Sequence, residues 1–110
     1  MLTLATRYLD HPPRVVVRLA GDLDLATSDQ LEAHLTELMD RGASFLHLDF
    51  GPDSFLDSSG ILALVRVGAR LRTRGGKMVV SGPRRRLGAL SATLSLYAEL
   101  DLRETEKAES

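Results

Sequence analysis

The chain has 110 residues, 44% of them hydrophobic and 26% charged, with fourteen basic residues against fifteen acidic ones for a net charge of -1; this is the composition of one domain and argues against bulk binding to nucleic acid or membrane. It contains no cysteine, which excludes thiol catalysis, Cys-ligated zinc and disulfide frameworks and fits a reducing compartment. Met1–Asp10 carries polar residues every few positions, unlike a secretory signal, and no apolar run approaches the roughly 18 residues of a membrane span, so a cytoplasmic protein is expected.

Leu2–Leu9 alternates loosely, His11-Pro12-Pro13 interrupts, and Val15–Ala20 is a β-branched run, which predicts two strands in an N-terminal hairpin. A loop at Gly21-Asp22-Leu23-Asp24 leads to Thr27-Ser28-Asp29-Gln30, whose spacing is that of a capping box: the Thr27 hydroxyl would accept from the Gln30 amide while the Gln30 side chain reaches back. The following helix places Leu31, Leu35 and Leu38 on one face and Glu32, Thr36, Glu37 and Asp40 toward water, and Gly42 supplies its exit after Arg41.

Phe45–Phe50 predicts a strand with Leu46, Leu48 and Phe50 on the buried face and Phe45, His47 and Asp49 on a partly covered one. Gly51-Pro52-Asp53-Ser54 stops it. After Asp57-Ser58-Ser59-Gly60 the apolar set Ile61, Leu64, Val65, Gly68 and Leu71 predicts a second helix, closed by Gly75-Gly76. Lys77–Ser81 reads as a short buried strand, Gly82-Pro83 as a turn, and Leu87, Leu90 and Leu94 as a third helix; a weak last strand is expected near Leu100–Leu102. The order implies a single α/β domain over residues 1–103, with a mixed, largely parallel β-sheet and helices packed on it. Residues 104–110 are polar, lack apolar anchors and read as a disordered tail.

The charges are unevenly spread. Residues 1–57 hold ten acids and four bases, residues 58–98 hold eight bases and no acid, and the remainder holds five acids and two bases. The plain reading of Arg66, Arg70, Arg72 and Arg74 is the solvated face of the second helix; the alternative is a docking surface for an acidic partner.

Enzyme motifs fail in turn. His11, His34 and His47 fall in a turn, on a helix flank and in a strand, without the i, i+4 spacing of a helical metal site. There is no Gly-x-Ser-x-Gly, and a P-loop aligned on Gly76-Lys77 would put Leu71 where its leading glycine belongs and Met78 where its hydroxyl belongs. Asp22 and Asp24 are a conceivable acid pair, but acids before a helix ordinarily solvate and cap. Asp57-Ser58-Ser59-Gly60, taken alone, is a set of good capping residues contributing roughly 1 kcal/mol.

In context, Phe55-Leu56-Asp57-Ser58-Ser59-Gly60-Ile61 resembles the signature of the anti-sigma factor antagonists, which have the STAS domain fold. Gly21-Asp22-Leu23-Asp24 is similar to that family's Gly-Glu-Leu-Asp loop, and Gly75-Gly76-Lys77-Met78-Val79-Val80 to its turn into a core strand. One stretch departs: Leu90-Ser91-Ala92-Thr93-Leu94 lacks the glycine of the family's Leu-Thr-Gly-Leu.

The resemblance implies that Ser58 is a phosphoacceptor and that Asp22, Asp24, Asp57, Ser59, Gly60 and Ile61 lie at a partner surface. It further implies a non-enzymatic switch without cofactor or metal, working as a monomer or weak dimer: the unphosphorylated form captures an anti-sigma factor, itself a serine kinase, and frees a sigma factor. Phosphorylation of Ser58 ends the capture and a phosphatase restores it. Two rivals are a STAS scaffold or accessory subunit of a stress-sensing or lipid-transport assembly without phospho-switching, and a nucleotide- or nucleic-acid-binding module using Arg84-Arg85-Arg86 and the second helix. Binding of the last kind weakens steeply with salt.

Overall fold

A computed structural model describes residues 2–9, 13–52, 54–82 and 100–104. The elements are β1 (Leu2–Tyr8), β2 (Arg14–Leu23), α1 (Ser28–Asp40), β3 (Phe45–Phe50), β4 (Phe55–Leu56), α2 (Ser58–Thr73), β5 (Lys77–Gly82) and β6 (Leu100–Glu104). The predicted helix on Leu87, Leu90 and Leu94, the Arg84–Arg86 run, the turn at His11 and residues 105–110 lie outside the described residues.

β1 and β2 form the antiparallel hairpin, with Leu4 opposite Leu19 and Tyr8 opposite Val15. The sheet order is β1-β2-β3-β5-β6, every pair after the hairpin is parallel, and β4 sits off this path against the end of β2. The chain is thus a single α/β domain with a mixed, mostly parallel sheet. Among the described residues no helix is long and apolar enough to cross a membrane.

Alternation along the strands builds the core. Val15, Val17 and Leu19 of β2, Leu46, Leu48 and Phe50 of β3, and Met78 and Val80 of β5 are buried on one sheet face. Against them pack Leu31, Leu35 and Leu38 of α1 and Ile61, Leu64, Val67 and Leu71 of α2, all in one cluster. Each such side chain contributes about 1.5–3 kcal/mol by leaving water. On the other face Phe45, His47 and Asp49 are half-buried as expected; Ser81 Oγ lies 2.7 Å from His47 Nε2 and donates to Asp49 Oδ1 at 3.1 Å.

α1 and α2 each link parallel strands and run in the same direction, their pairs keeping a constant offset of 34 residues, and their facing sides are matched in charge. Arg66 Nη2 lies 3.0 Å from Glu32 Oε1, Arg70 Nη2 lies 3.6 Å from Glu32 Oε2 and donates to Thr36 Oγ1 at 2.9 Å, and Arg74 Nη1 lies 3.7 Å from Asp40 Oδ1. The Glu32 carboxylate raises the Arg66 pKa above its already high ordinary value, first through its hydrogen bond and then through its charge. One expectation changes accordingly: Glu32 and Thr36 are half-buried rather than turned to open water. Arg66, Arg70, Arg72 and Arg74 are exposed, as expected of a solvated helix face, and three of them reach across to α1.

The start of α1 also differs from the capping-box expectation. Thr27 makes no side-chain cap: its hydroxyl donates to the Asp22 carbonyl at 2.7 Å and accepts from the Asp24 amide at 3.0 Å. Gln30 reaches the hairpin instead, donating from Nε2 to the Leu2 carbonyl at 3.1 Å. Both side chains find nonlocal or loop partners that a four-residue motif does not contain. The predicted loop at Gly21–Leu23 is the end of β2, because β4 supplies a ladder partner there, Asp22 facing Phe55 and Leu23 facing Leu56. β6 likewise continues through Glu104, which the sequence assigned to the tail.

Candidate functional site

The signature residues converge where β2 and β4 end and α2 begins. Ser54, buried, anchors the approach by donating from Oγ to the Leu19 carbonyl at 3.2 Å. The Asp57 amide donates to the Leu23 carbonyl at 3.2 Å, which fixes the first residue before the helix to the end of β2. Asp57 is extended, with φ -118° and ψ -175°, and its Oδ1 accepts from the amides of Ser59 at 2.9 Å and Gly60 at 3.1 Å. That is an N-cap satisfying two of the free amides of α2, with its negative charge at the positive end of the helix dipole.

Because Asp57 closes the helix, Ser58 does not have to. Ser58 is exposed, and its hydroxyl makes no hydrogen bond among the described residues. Ser59, one position on, is half-buried.

The remaining candidates divide between surface and frame. Asp22 is half-buried in the ladder opposite Phe55. Asp24 works within its own turn, its Oδ1 accepting from the amides of Ala26 at 3.0 Å and Thr27 at 3.2 Å. Gly60 is buried where the helix presses on β2: a Cβ there would lie 2.7 Å from both Leu23 Cγ and the Leu23 carbonyl oxygen. Ile61 belongs to the core cluster. Both therefore act from beneath, by seating the helix, while Asp57, Ser58 and Ser59 have side chains at its rim. The Gly75-Gly76 motif has a similarly structural origin. Gly75 takes φ +79°, and a Cβ on Gly76 would come within 2.3 Å of the Ser44 carbonyl oxygen.

Three large apolar residues at this end were not among the residues expected at the partner surface, although Phe55 stands in the signature itself. Leu25, Phe55 and Leu62 are large, apolar and 76%, 52% and 48% exposed. Leu62 was detectable, since it falls off the stripe formed by Ile61, Leu64, Val65, Gly68 and Leu71 and one helical turn from Ser58.

With the geometry established, comparison with known proteins places the chain. The family model of the STAS domain matches residues 6–108, and the chain belongs to that family. It is 28% identical over 97 residues to a Bordetella bronchiseptica protein named as the anti-sigma factor antagonist BtrV, covering 86% of this chain and 84% of that one. Among solved structures it is similar to an anti-sigma factor antagonist from Mycobacterium paratuberculosis, with a TM-score of 0.71 and 22% identity over 99% of this chain and 92% of the other. It is also similar to SpoIIAA in its unphosphorylated form, with a TM-score of 0.65, 18% identity and coverage of 97% and 93%. Against the phosphorylated form of the Bacillus cell fate determinant SpoIIAA the TM-score is 0.64, with 22% identity and coverage of 99% and 96%.

Proposed function

We propose that this protein is an anti-sigma factor antagonist whose capture of an anti-sigma factor serine kinase is switched off by phosphorylation of Ser58. The observation that carries the reading is the division of labour between neighbours: Asp57 holds the helix closed through Ser59 and Gly60, and Ser58 stands exposed without a structural task. This also disfavours the scaffold reading, in which Ser58 serves as a cap.

An exposed hydroxyl at a helix start can align with a γ-phosphoryl group held by a separate kinase. The bond from the γ-phosphorus to the bridging oxygen breaks, the Ser58 Oγ–phosphorus bond forms, and the hydroxyl proton passes to a base on the kinase. The product carries a charge of about -1.5 to -2, set between the Asp57 carboxylate and the positive helix end. These opposing influences leave the fold intact and place the effect on the partner, which meets a hydrated dianion where it met a hydroxyl. The likeness of this fold to both forms of SpoIIAA agrees with a switch read at the surface. A phosphatase acting on the modified Ser58 resets the cycle, and Asp22, Asp24, Asp57 and Ser59 form the neighbouring contact rim with Gly60 and Ile61 supporting it.

The test is a titration of the purified anti-sigma factor serine kinase of the source cells against wild type, Ser58→Ala and Ser58→Asp. Wild type and Ala bind, and Asp loses about a hundredfold, equivalent to about 2.7 kcal/mol. Equal binding by Asp and Ala overturns the mechanism, and a phosphate mapped by mass spectrometry to Ser59 overturns the assignment to Ser58.

A further inference from the structure

β1 is the first strand of the sheet, and among the described residues no strand pairs with its outer side. The bond from the Leu9 amide to the Arg14 carbonyl at 2.9 Å sets the phase of the hairpin ladder: Arg7, Ala5 and Thr3 fall in hydrogen-bonded pairs with Val16, Arg18 and Ala20. The alternate residues Leu2, Leu4, Thr6 and Tyr8 therefore turn their amides and carbonyls away from β2. Gln30 confirms the direction, reaching from α1 to donate to the Leu2 carbonyl at 3.1 Å. α1 thus satisfies the outer edge at Leu2, while Leu4, Thr6 and Tyr8 continue it beyond.

Edge strands are ordinarily blunted by brevity, proline, charge or a bulge. β1 has seven residues in unbroken register, no proline and one charge, Arg7. On the helix side of this strand Tyr8 is 47% exposed, and Leu4 is only partly buried against the core.

We propose that this edge pairs antiparallel with the same edge of a second copy, about a two-fold axis through Thr6. In such a pair the residues with outward-turned backbone must face one another. An axis at Leu4 or Ala5 would require the Leu2 carbonyl, which already holds Gln30, and an axis at Arg7 would set two like charges directly opposite. At Thr6 neither conflict arises. The two Thr6 residues exchange a pair of main-chain bonds, and each Leu4 exchanges another with the Tyr8 across the axis. Each Tyr8 ring then covers the half-open Leu4 of the other copy, and each Arg7 lies opposite an Ala5.

The β2 strands of the two copies run in opposite directions, so the starts of the α2 helices lie at opposite ends of the joined sheet and both Ser58 hydroxyls stay open. The inference is therefore independent of the function proposed above. A contact of one strand falls well short of the roughly 20–30 residues a side of a stable interface, so association is weak and rises with concentration.

Sedimentation velocity of the full chain from about 5 µM to about 1 mM measures the dimer for wild type, Tyr8→Ala, Ala5→Glu, Ala5→Arg and Leu62→Ala. Wild type passes from monomer to dimer across this range, Tyr8→Ala weakens the dimer about tenfold, and Leu62→Ala, at an exposed leucine of α2, leaves it unchanged. Ala5→Glu, set opposite Arg7 of the copy, tightens it several-fold at low salt and Ala5→Arg loosens it by as much. Ala5 is exposed, so both charges are compatible with the fold, which circular-dichroism melts check for every variant. In hydrogen exchange the amides of Leu4, Thr6 and Tyr8 gain protection as the dimer forms, whereas those of Ala5 and Arg7, already in the ladder, do not change. The inference is overturned if wild type is monomeric at about 1 mM, if the outward amides gain no protection, if Tyr8→Ala associates like wild type, or if Leu62→Ala weakens the dimer as much as Tyr8→Ala. Loosening by Ala5→Glu overturns the axis at Thr6, since it places the two Ala5 residues against each other.

Discussion

Gly60 in the first turn of α2 rests directly on Leu23 at the end of β2, so closely that a methyl group on Gly60 would lie 2.7 Å from the Leu23 carbonyl oxygen and 2.7 Å from its Cγ. The contact joins the two segments that the functional site is built from.

Gly60→Ala forces these apart. The added carbon meets backbone, which yields less readily than a side chain, so overpacking of about 1–3 kcal/mol outweighs the gain of about 1 kcal/mol in helix propensity. Net destabilisation and weaker partner binding are expected together, read by urea denaturation and by titration.

Asp57→Ala removes the acceptor for two helix amides and costs about 0.5–2 kcal/mol. Ser58→Ala, at an exposed position without a structural bond, stays within about 0.5 kcal/mol of wild type. Paired denaturation curves check the contrast; equal losses would mean that Ser58 shares the capping.

The Arg66–Glu32 pair bridges α2 and α1 at a half-exposed position, its arginine side chain 54% and its glutamate side chain 22% accessible. A double-mutant cycle should return a coupling below about 1 kcal/mol that shrinks at high salt. A larger, salt-independent value would mark the ladder as a principal support of the helix pair.

Enzymatic phosphorylation of Ser58 should leave the melting temperature within a few degrees of the unmodified protein, since the helix dipole and Asp57 act in opposite directions at about 0.3–1 kcal/mol each. Scanning calorimetry of both forms decides this. A collapse of the melt would move the switch from the surface into the fold.

Much of this architecture was legible in the sequence because it depends on local periodicity. The alternation of Leu46, Leu48 and Phe50 defines β3, and the stripe through Ile61, Leu64 and Leu71 defines the inner face of α2. What escaped depends on partners far along the chain. Asp22 and Leu23 read as loop because their ladder partners, Phe55 and Leu56, belong to a two-residue strand too short for any pattern. Gln30 matched a capping box but serves Leu2, and Thr27 matched its other half but serves Asp22. Arg66, Arg70 and Arg74 are exposed as read, but their partners Glu32, Thr36 and Asp40, spaced four apart in the same way, escaped notice because they lie 34 positions earlier. The site was found through its signature, while the distinction between framing and presenting residues came from burial: Gly60 and Ile61 lie inside, and Leu62 outside.

The cap on α2 leaves position 58 open to chemistry of the experimenter's choosing. Since the chain has no thiol of its own, Ser58→Cys creates a unique attachment point for an environment-sensitive dye, at an exposed place where the label displaces no hydrogen bond among the described residues. Its emission would follow occupancy of the neighbouring surface in real time, turning the protein into a reporter of its own engagement.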